Sequence, residues 1–270
     1  MRYLILVLFA LAPLADAQET FTVATWNIEN FNGHFLAFHL TKAKAKAPFD
    51  LNSEDGKELL FQLRAANDKA NWETAQAILD EKFNPDVLVI EECCSQEDLE
   101  FFNKRWLRNT YETVIVFPTN TDRNQHLGLL AKKGFKVVEK KDQYYQEKDS
   151  AQNERGDKLF ARGPAFAKIQ TPSGYQCWIG VNHQKSKSKN SADATAWRNR
   201  EAKRTHDIIL DLSKTGPDDV IFLGDMPAAT LSTRFCEMTK EFVDKFGGGL
   251  VVMAGPPTKI LSLSSSWPPA

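Results

Sequence analysis

The chain has 270 residues, 42% hydrophobic and 26% charged, and a formal net charge of -1. That is ordinary globular composition, with length for one large domain or two small ones and for a sizeable core. The near-zero charge excludes a broad cationic surface of the kind that binds polyanions without selectivity, while local basic patches stay compatible with it.

The N-terminus reads MRYLILVLFALAPLADA, with one early cation at Arg2, an apolar run from Tyr3 to Leu14, and Ala15-Asp16-Ala17 as a small-x-small cleavage site. This is the layout of a secretory signal, too short to span a bilayer comfortably. Cleavage is therefore expected near Ala17, with a secreted or periplasmic product; an N-terminal membrane anchor is the alternative. No later stretch is long and apolar enough to predict a transmembrane helix in the mature chain. Export permits disulfides, but Cys93, Cys94, Cys177 and Cys236 allow three pairings, and nothing in their spacing chooses among them or resembles a zinc site. If extended, adjacent Cys93 and Cys94 would point to opposite faces, so at most one is expected in the core.

TFTVATWNI alternates and predicts a strand. ANWETAQAILDEKF places Trp72, Ala75, Leu79 and Phe83 at helical spacing. The turn NPD leads into VLVIEE, a short buried strand. SQEDLEFFNKRWL opens with Ser95 and Asp98 as a capping box, and Leu99, Phe102 and Trp106 form its apolar stripe. Strand-like runs follow at YETVIVF, HLGLLAK, FKVVEK, PAFAKIQ and YQCWIGVNH, with the polar KKDQYYQEKDSAQNERGDK expected as a loop. ADATAWRNREAKRTHDIILDL predicts a long helix before the strand VIFLGD. Helical spacing returns at Phe235, Met238, Phe242 and Phe246, closed by GGG before LVVMAG. Strands whose apolar runs are buried on both faces, interspersed with helices, predict strand layers covered by helices, an α/β architecture.

Four strand ends carry polar residues directly after apolar runs: Asn27, the Glu91-Glu92 pair, His183 and Asp225. Strand ends meet water, so any one has a bland explanation. Together they form a complementary set. A carboxylate and an amide oxygen are hard ligands suited to Mg²⁺, a histidine can donate to a phosphoryl oxygen as charge builds, and a second carboxylate can activate water. The set matches metal-assisted hydrolysis of a phosphate ester.

TFTVATWNIENF, PDVLVIEE, RGPAFAKI, GVNHQKSKS and VIFLGD, in this order and spacing, resemble the endonuclease/exonuclease/phosphatase superfamily, which includes pancreatic-type deoxyribonucleases, neutral sphingomyelinases and inositol-phosphate 5-phosphatases. The resemblance covers about residues 21–225. It implies a four-layer α/β sandwich, two packed mixed β-sheets flanked by helices, with the C-terminal part incomplete or replaced. By the same resemblance Asn27 and Glu92 would hold Mg²⁺ (or Mn²⁺ or Ca²⁺), and Glu91, where relatives often have Gln, would support them from behind. His183 would contact the scissile phosphate and Asp225 would activate water. Arg162 is a weaker phosphate contact, with a surface arginine as its alternative. Lys185, with Lys187 and Lys189, would attract an anionic phosphodiester or simply form a solvated loop.

The resemblance fails after Asp225. The expected Gly-Asp-x-Asn has Pro227 in place of Asn, which removes both a side-chain amide and a backbone N–H. No histidine follows Asp225 to complete a Ser-Asp-His element. Instead GDMPAATLSTRFCEMTKEFVDKFGGGLVVMAGPP resembles a glutamine-amidotransferase-like segment without its nucleophile, so a join near Gly224 and Asp225 stands beside ordinary divergence. The expected organisation is a signal peptide at 1–17, a phosphatase/nuclease-like domain at 18–225, and an atypical segment at 226–270. The function implied is an exported Mg²⁺-dependent phosphodiesterase or nuclease, impaired by the missing Asn and histidine and acting on a phosphodiester such as nucleic acid or a phospholipid head group. The rival is a non-catalytic extracellular module that holds a phosphorylated ligand. Oligomeric state is not legible.

Overall fold

The computed structural model describes residues 21–28, 50, 52–121, 125–153, 156–184, 192–214 and 219–224. The signal-like segment, Lys185 and the lysines after it, Asp225, Pro227 and the amidotransferase-like stretch lie outside the described residues. Within them the order is β1 (Val23–Asn27), α1 (Glu54–Ile78), β2 (Val87–Cys93), α2 (Gln96–Arg105), β3 (Tyr111–Phe117), β4 (His126–Lys132) and β5 (Lys136–Lys141). A 3-10 turn (Gln143–Gln146) follows, then β6 (Lys148–Asn153), β7 (Gly156–Lys158), β8 (Ala165–Gln170), β9 (Gln176–Asn182), α3 (Ala192–Lys214) and β10 (Asp219–Gly224).

Two four-stranded mixed sheets carry the fold, ordered β1-β2-β4-β3 and β10-β9-β8-β5. Each has one parallel pair, β1 with β2 and β9 with β10, and antiparallel neighbours beyond it. The strands are apolar on both faces, and their alternation sorts the side chains into layers. Val87 and Val89 of β2 and Leu127, Leu129 and Ala131 of β4 meet Ala165, Ala167, Ile169, Cys177, Ile179 and Val181 of the second sheet. Leu88 and Ile90 point the other way, onto Ala75 and Ile78 of α1 and Leu99 and Phe102 of α2. Phe166 and Trp178 leave the far face of the second sheet to pack against Ile208 and Leu212 of α3. Helices, sheet, sheet and helix therefore make the four layers expected. Each fully buried Val, Leu or Phe in them contributes about 1.5–3 kcal/mol of burial free energy.

Local signals start the first two helices. Ser53 caps α1 by accepting from the Gly56 amide, with Glu54 and Asp55 in the first turn. Ser95 and Asp98 close the reciprocal capping box of α2, satisfying amides that have no partner inside the helix. Leu99 and Phe102 are fully buried, as the stripe predicts, and Trp106 packs partly against them.

Four expectations are corrected. Trp72 is not on the buried stripe: it is 54% exposed, and Asn71, Ala75 and Ile78 face the sheet instead. The helix also begins at Glu54, about four turns earlier than the apolar spacing marks. Cys93 and Cys94 are both buried, because the strand ends at Cys93 and alternation no longer applies. The polar 140–158 stretch is not all loop. It forms the 3-10 turn and the β6–β7 pair, anchored by ion pairs to α3 rather than by apolar alternation.

Candidate functional site

Because β1 runs parallel to β2, and β9 parallel to β10, each pair delivers its polar C-terminal residues to one edge. The sheets pack with β2 against β9 and β1 against β10, and side chains from the end of β2 and from just past β9 meet there.

In β1, Val23 belongs to the layer between the sheets while Ala24 and Trp26 face the helices. Asn27 therefore falls on the inter-sheet side, opposite Glu91 in the parallel register. Glu91 follows Val87 and Val89 onto that side, is 1% exposed, and accepts from the Thr25 hydroxyl at 2.5 Å. The β1 chain continues in register, with the Ile28 amide donating to the Glu91 carbonyl at 3.1 Å.

Strict alternation would send Glu92 to the helix side. A bulge prevents it: Glu91 pairs with Leu127 and Cys93 with His126, so Glu92 is the extra residue. Its φ of 61° is left-handed, a conformation costing a non-glycine residue about 1–2 kcal/mol. Bulges bend a strand and re-aim a side chain. Here Cys93 takes the helix-facing place and the Glu92 carboxylate turns to the second sheet.

Arg162 meets it. Its Nη1 donates to Glu92 Oε1 at 3.2 Å and to Gln125 Oε1 at 3.2 Å, and its Nη2 donates to the Gln184 carbonyl at 3.2 Å. At 6% exposure it is not a surface arginine. His183 Nε2 lies 3.6 Å from the same Glu92 oxygen, an electrostatic approach rather than a hydrogen bond. The backbone ties these residues together as well, since the His183 amide donates to the Arg162 carbonyl at 3.2 Å. Glu92, Arg162 and His183 thus form one largely buried cluster of polar side chains.

The turn after Arg162 requires glycine. Gly163 has φ 94°, and a Cβ there would lie 2.6 Å from Leu127 Cδ1. Before Arg162 the chain is held by Asn120, whose side-chain amide donates to the Tyr145 carbonyl and, at 2.8 Å, to the Phe160 carbonyl. Gln125 and Asn120 escaped the sequence reading, because a lone amide in a polar connection carries no local pattern.

Among the described residues, no three of His, Cys, Asp and Glu gather as a ready-made metal cage. Oxygen donors at this edge include the Glu92 carboxylate, which Arg162 also pairs with, and the Asn27 amide on the neighbouring strand end. Such a sparse, hard set fits Mg²⁺ in kind, because that ion keeps several waters and takes one or two carboxylates. Gly224, which pairs with Asn182, is the last described residue before Asp225.

No family model and no curated protein matches the chain. Solved structures show partial likenesses. A truncated Caenorhabditis elegans TDP2 aligns at 16% identity and TM-score 0.43, covering 61% of this chain and 60% of that one. D. rerio TDP2, complexed with single strand DNA product, aligns at 15% and 0.40, covering 76% and 60%. A functionally unknown conserved protein from Enterococcus faecalis V583 aligns at 12% and 0.44, covering 81% and 71%. The match thus spans six tenths of each TDP2 chain. At such TM-scores these likenesses carry no argument about chemistry, which rests on the side chains.

Proposed function

We propose that the chain is an exported metal-dependent phosphoric-ester hydrolase of the endonuclease/exonuclease/phosphatase class, acting on a phosphodiester and slowed by Pro227. One observation carries the reading: the Glu92 carboxylate, turned by a bulge into the edge between two sheets, is approached there by both Arg162 and His183. A buried ion pair adds little net stability against an apolar replacement, and the left-handed Glu92 costs more. Such an arrangement is better explained by chemistry than by folding.

Glu92 and Asn27 are the residues that would hold Mg²⁺, which when bound supplies positive charge to the non-bridging and leaving oxygens. Glu91, held by Thr25, keeps the β1 and β2 ends in register beneath them. His183 would donate from Nε2 to a phosphoryl oxygen as negative charge builds. Arg162 orients Glu92 and keeps a cation at the phosphate edge. Asp225, next after β10, would take the proton from the attacking water. Lys185, just past His183, would draw in the anionic substrate, with nucleic acid and phospholipid head groups both suited. Pro227 removes a donor expected to help position substrate and water, and losing one such donor costs on the order of 100- to 1000-fold.

Hydrolysis of bis(4-nitrophenyl) phosphate tests this, with Mg²⁺ and after chelation, in wild type, Glu92→Ala and His183→Ala. Turnover should require Mg²⁺ and fall by about 100-fold or more in each variant. Activity that survives chelation and Glu92→Ala would remove the mechanism. Pro227 also favours a second reading, a non-catalytic module holding a phosphorylated ligand. Saturable binding of the phosphodiester without turnover would support it.

A further inference from the structure

Helix α3 reaches this site from the outer layer. Trp197, Arg200, Glu201 and Arg204 follow helical spacing and share one face, and all four bond to the segment that precedes Arg162. Arg204 pairs with both oxygens of Glu147 at 2.8 Å, and Arg200 with those of Asp149 at 2.8 and 2.7 Å. Trp197 Nε1 donates to the Leu159 carbonyl at 2.5 Å. Glu201 Oε1 accepts from the Ala161 amide at 3.0 Å. From the opposite side the Asn120 amide donates to the Ala161 carbonyl at 3.2 Å. The peptides immediately before Arg162 are thus held on both sides.

Glu201 is the unexpected member. It is 1% exposed, and a buried carboxylate is costly unless partnered. Arg200 shares its field: the bond to Asp149 chiefly raises the guanidinium's pKa, and the charge of Glu201 adds to that rise. Glu201 bonds one residue before the guanidinium that holds Glu92. The chain runs Glu201, Ala161 amide, Arg162, Glu92.

We infer that Glu201 is a positioning residue for the Arg162–Glu92 site, fixing the Ala161 peptide and hence the direction of the guanidinium. The inference rests on the hydrolase reading for its catalytic consequence and on geometry alone for its coupling to Arg162. Displacing a catalytic constellation by about 1 Å costs on the order of 100-fold.

The test uses the full chain with Mg²⁺ and bis(4-nitrophenyl) phosphate, comparing Glu201→Ala, Glu201→Gln, Arg162→Ala and the Glu201→Ala/Arg162→Ala double variant. Per folded molecule, Glu201→Ala should lower kcat by about 10- to 100-fold. Glu201→Gln keeps an oxygen for the Ala161 amide and should recover most of the loss. In the Arg162→Ala background Glu201→Ala should add nothing. If Glu201→Ala does not fold, Glu201→Met, of similar volume without the acceptor, replaces it. Unchanged kcat in the folded variant, no rescue by Gln, or multiplying losses would overturn the proposal. Should wild type show no Mg²⁺-dependent turnover, the hydrolase reading fails separately. Urea unfolding then decides the coupling: the double variant's midpoint shift should be smaller than the sum of the singles, and a simple sum overturns the inference.

Discussion

Replacing Arg162 with methionine removes half of an ion pair whose side chains are 7% and 12% exposed. Glu92 would then face a thioether with little water near it, and Gln125 and the Gln184 carbonyl would each lose a donor at 3.2 Å. Breaking one side of a buried pair costs about 3–5 kcal/mol. The residual exposure of Glu92 puts Arg162→Met near the lower end, about 3 kcal/mol. Glu92→Met strands the guanidinium instead and should cost a similar amount. The double variant leaves no uncompensated charge, so its destabilisation should fall short of the sum by about 2 kcal/mol. Urea unfolding with chelator present measures all four proteins. At a slope of about 2–3 kcal/mol per molar for a domain of this size, each single variant should lower the midpoint by about 1 M or more. Singles costing under about 1 kcal/mol, or additivity within about 0.5 kcal/mol, would refute a buried, coupled pair.

Two further predictions follow from particular side chains. A Cβ at Gly180 would lie 2.5 Å from both Phe166 Cε1 and Phe222 Cδ2, so Gly180→Ala should destabilise by about 1–3 kcal/mol through overpacking. It lies inside β9, away from the Glu92 cluster, and should leave turnover per folded molecule unchanged; a neutral midpoint in urea would show that the two rings can part. Burial lowers the pKa of the His126 imidazole from 6.5. Between that lowered value and about 6.5 the unfolded chain binds a proton that the native chain refuses, so stability drops as pH falls through this window. His126→Gln should flatten the slope of urea midpoint against pH between about pH 7.5 and 5. Parallel slopes in wild type and variant would contradict it.

The layers were legible because β2, β4, β8 and β9 are apolar on both faces and end abruptly in polar residues, a local pattern that tertiary contacts reinforce. Ser95 and Asp98 announced α2 for the same reason, since a capping box is contained in four residues. What alternation could not show is that Glu92 joins Glu91 on the side of the second sheet. Counted from Val87, Glu91 lies on the inter-sheet side and Glu92 does not; only the bulge against Leu127 and His126 re-aims Glu92, and bulges arise from pairing between strands. The company of Arg162 was hidden similarly, because Gln125 and Glu201 lie 37 and 39 residues away in sequence with no local signature. The β6–β7 pair was missed because ion pairs from Arg200 and Arg204, rather than apolar side chains, hold it down.

The proposed hydrolase depends most on Glu92 being able to hold a divalent ion. Mn²⁺ titration followed by the EPR signal of the free ion tests that without a substrate. Wild type should bind Mn²⁺ saturably, Asn27→Ala more weakly, and Glu92→Gln with its affinity reduced by about 10-fold or more, while His183→Ala keeps the wild-type curve. Wild-type affinity in Glu92→Gln, with the protein folded, would contradict the site.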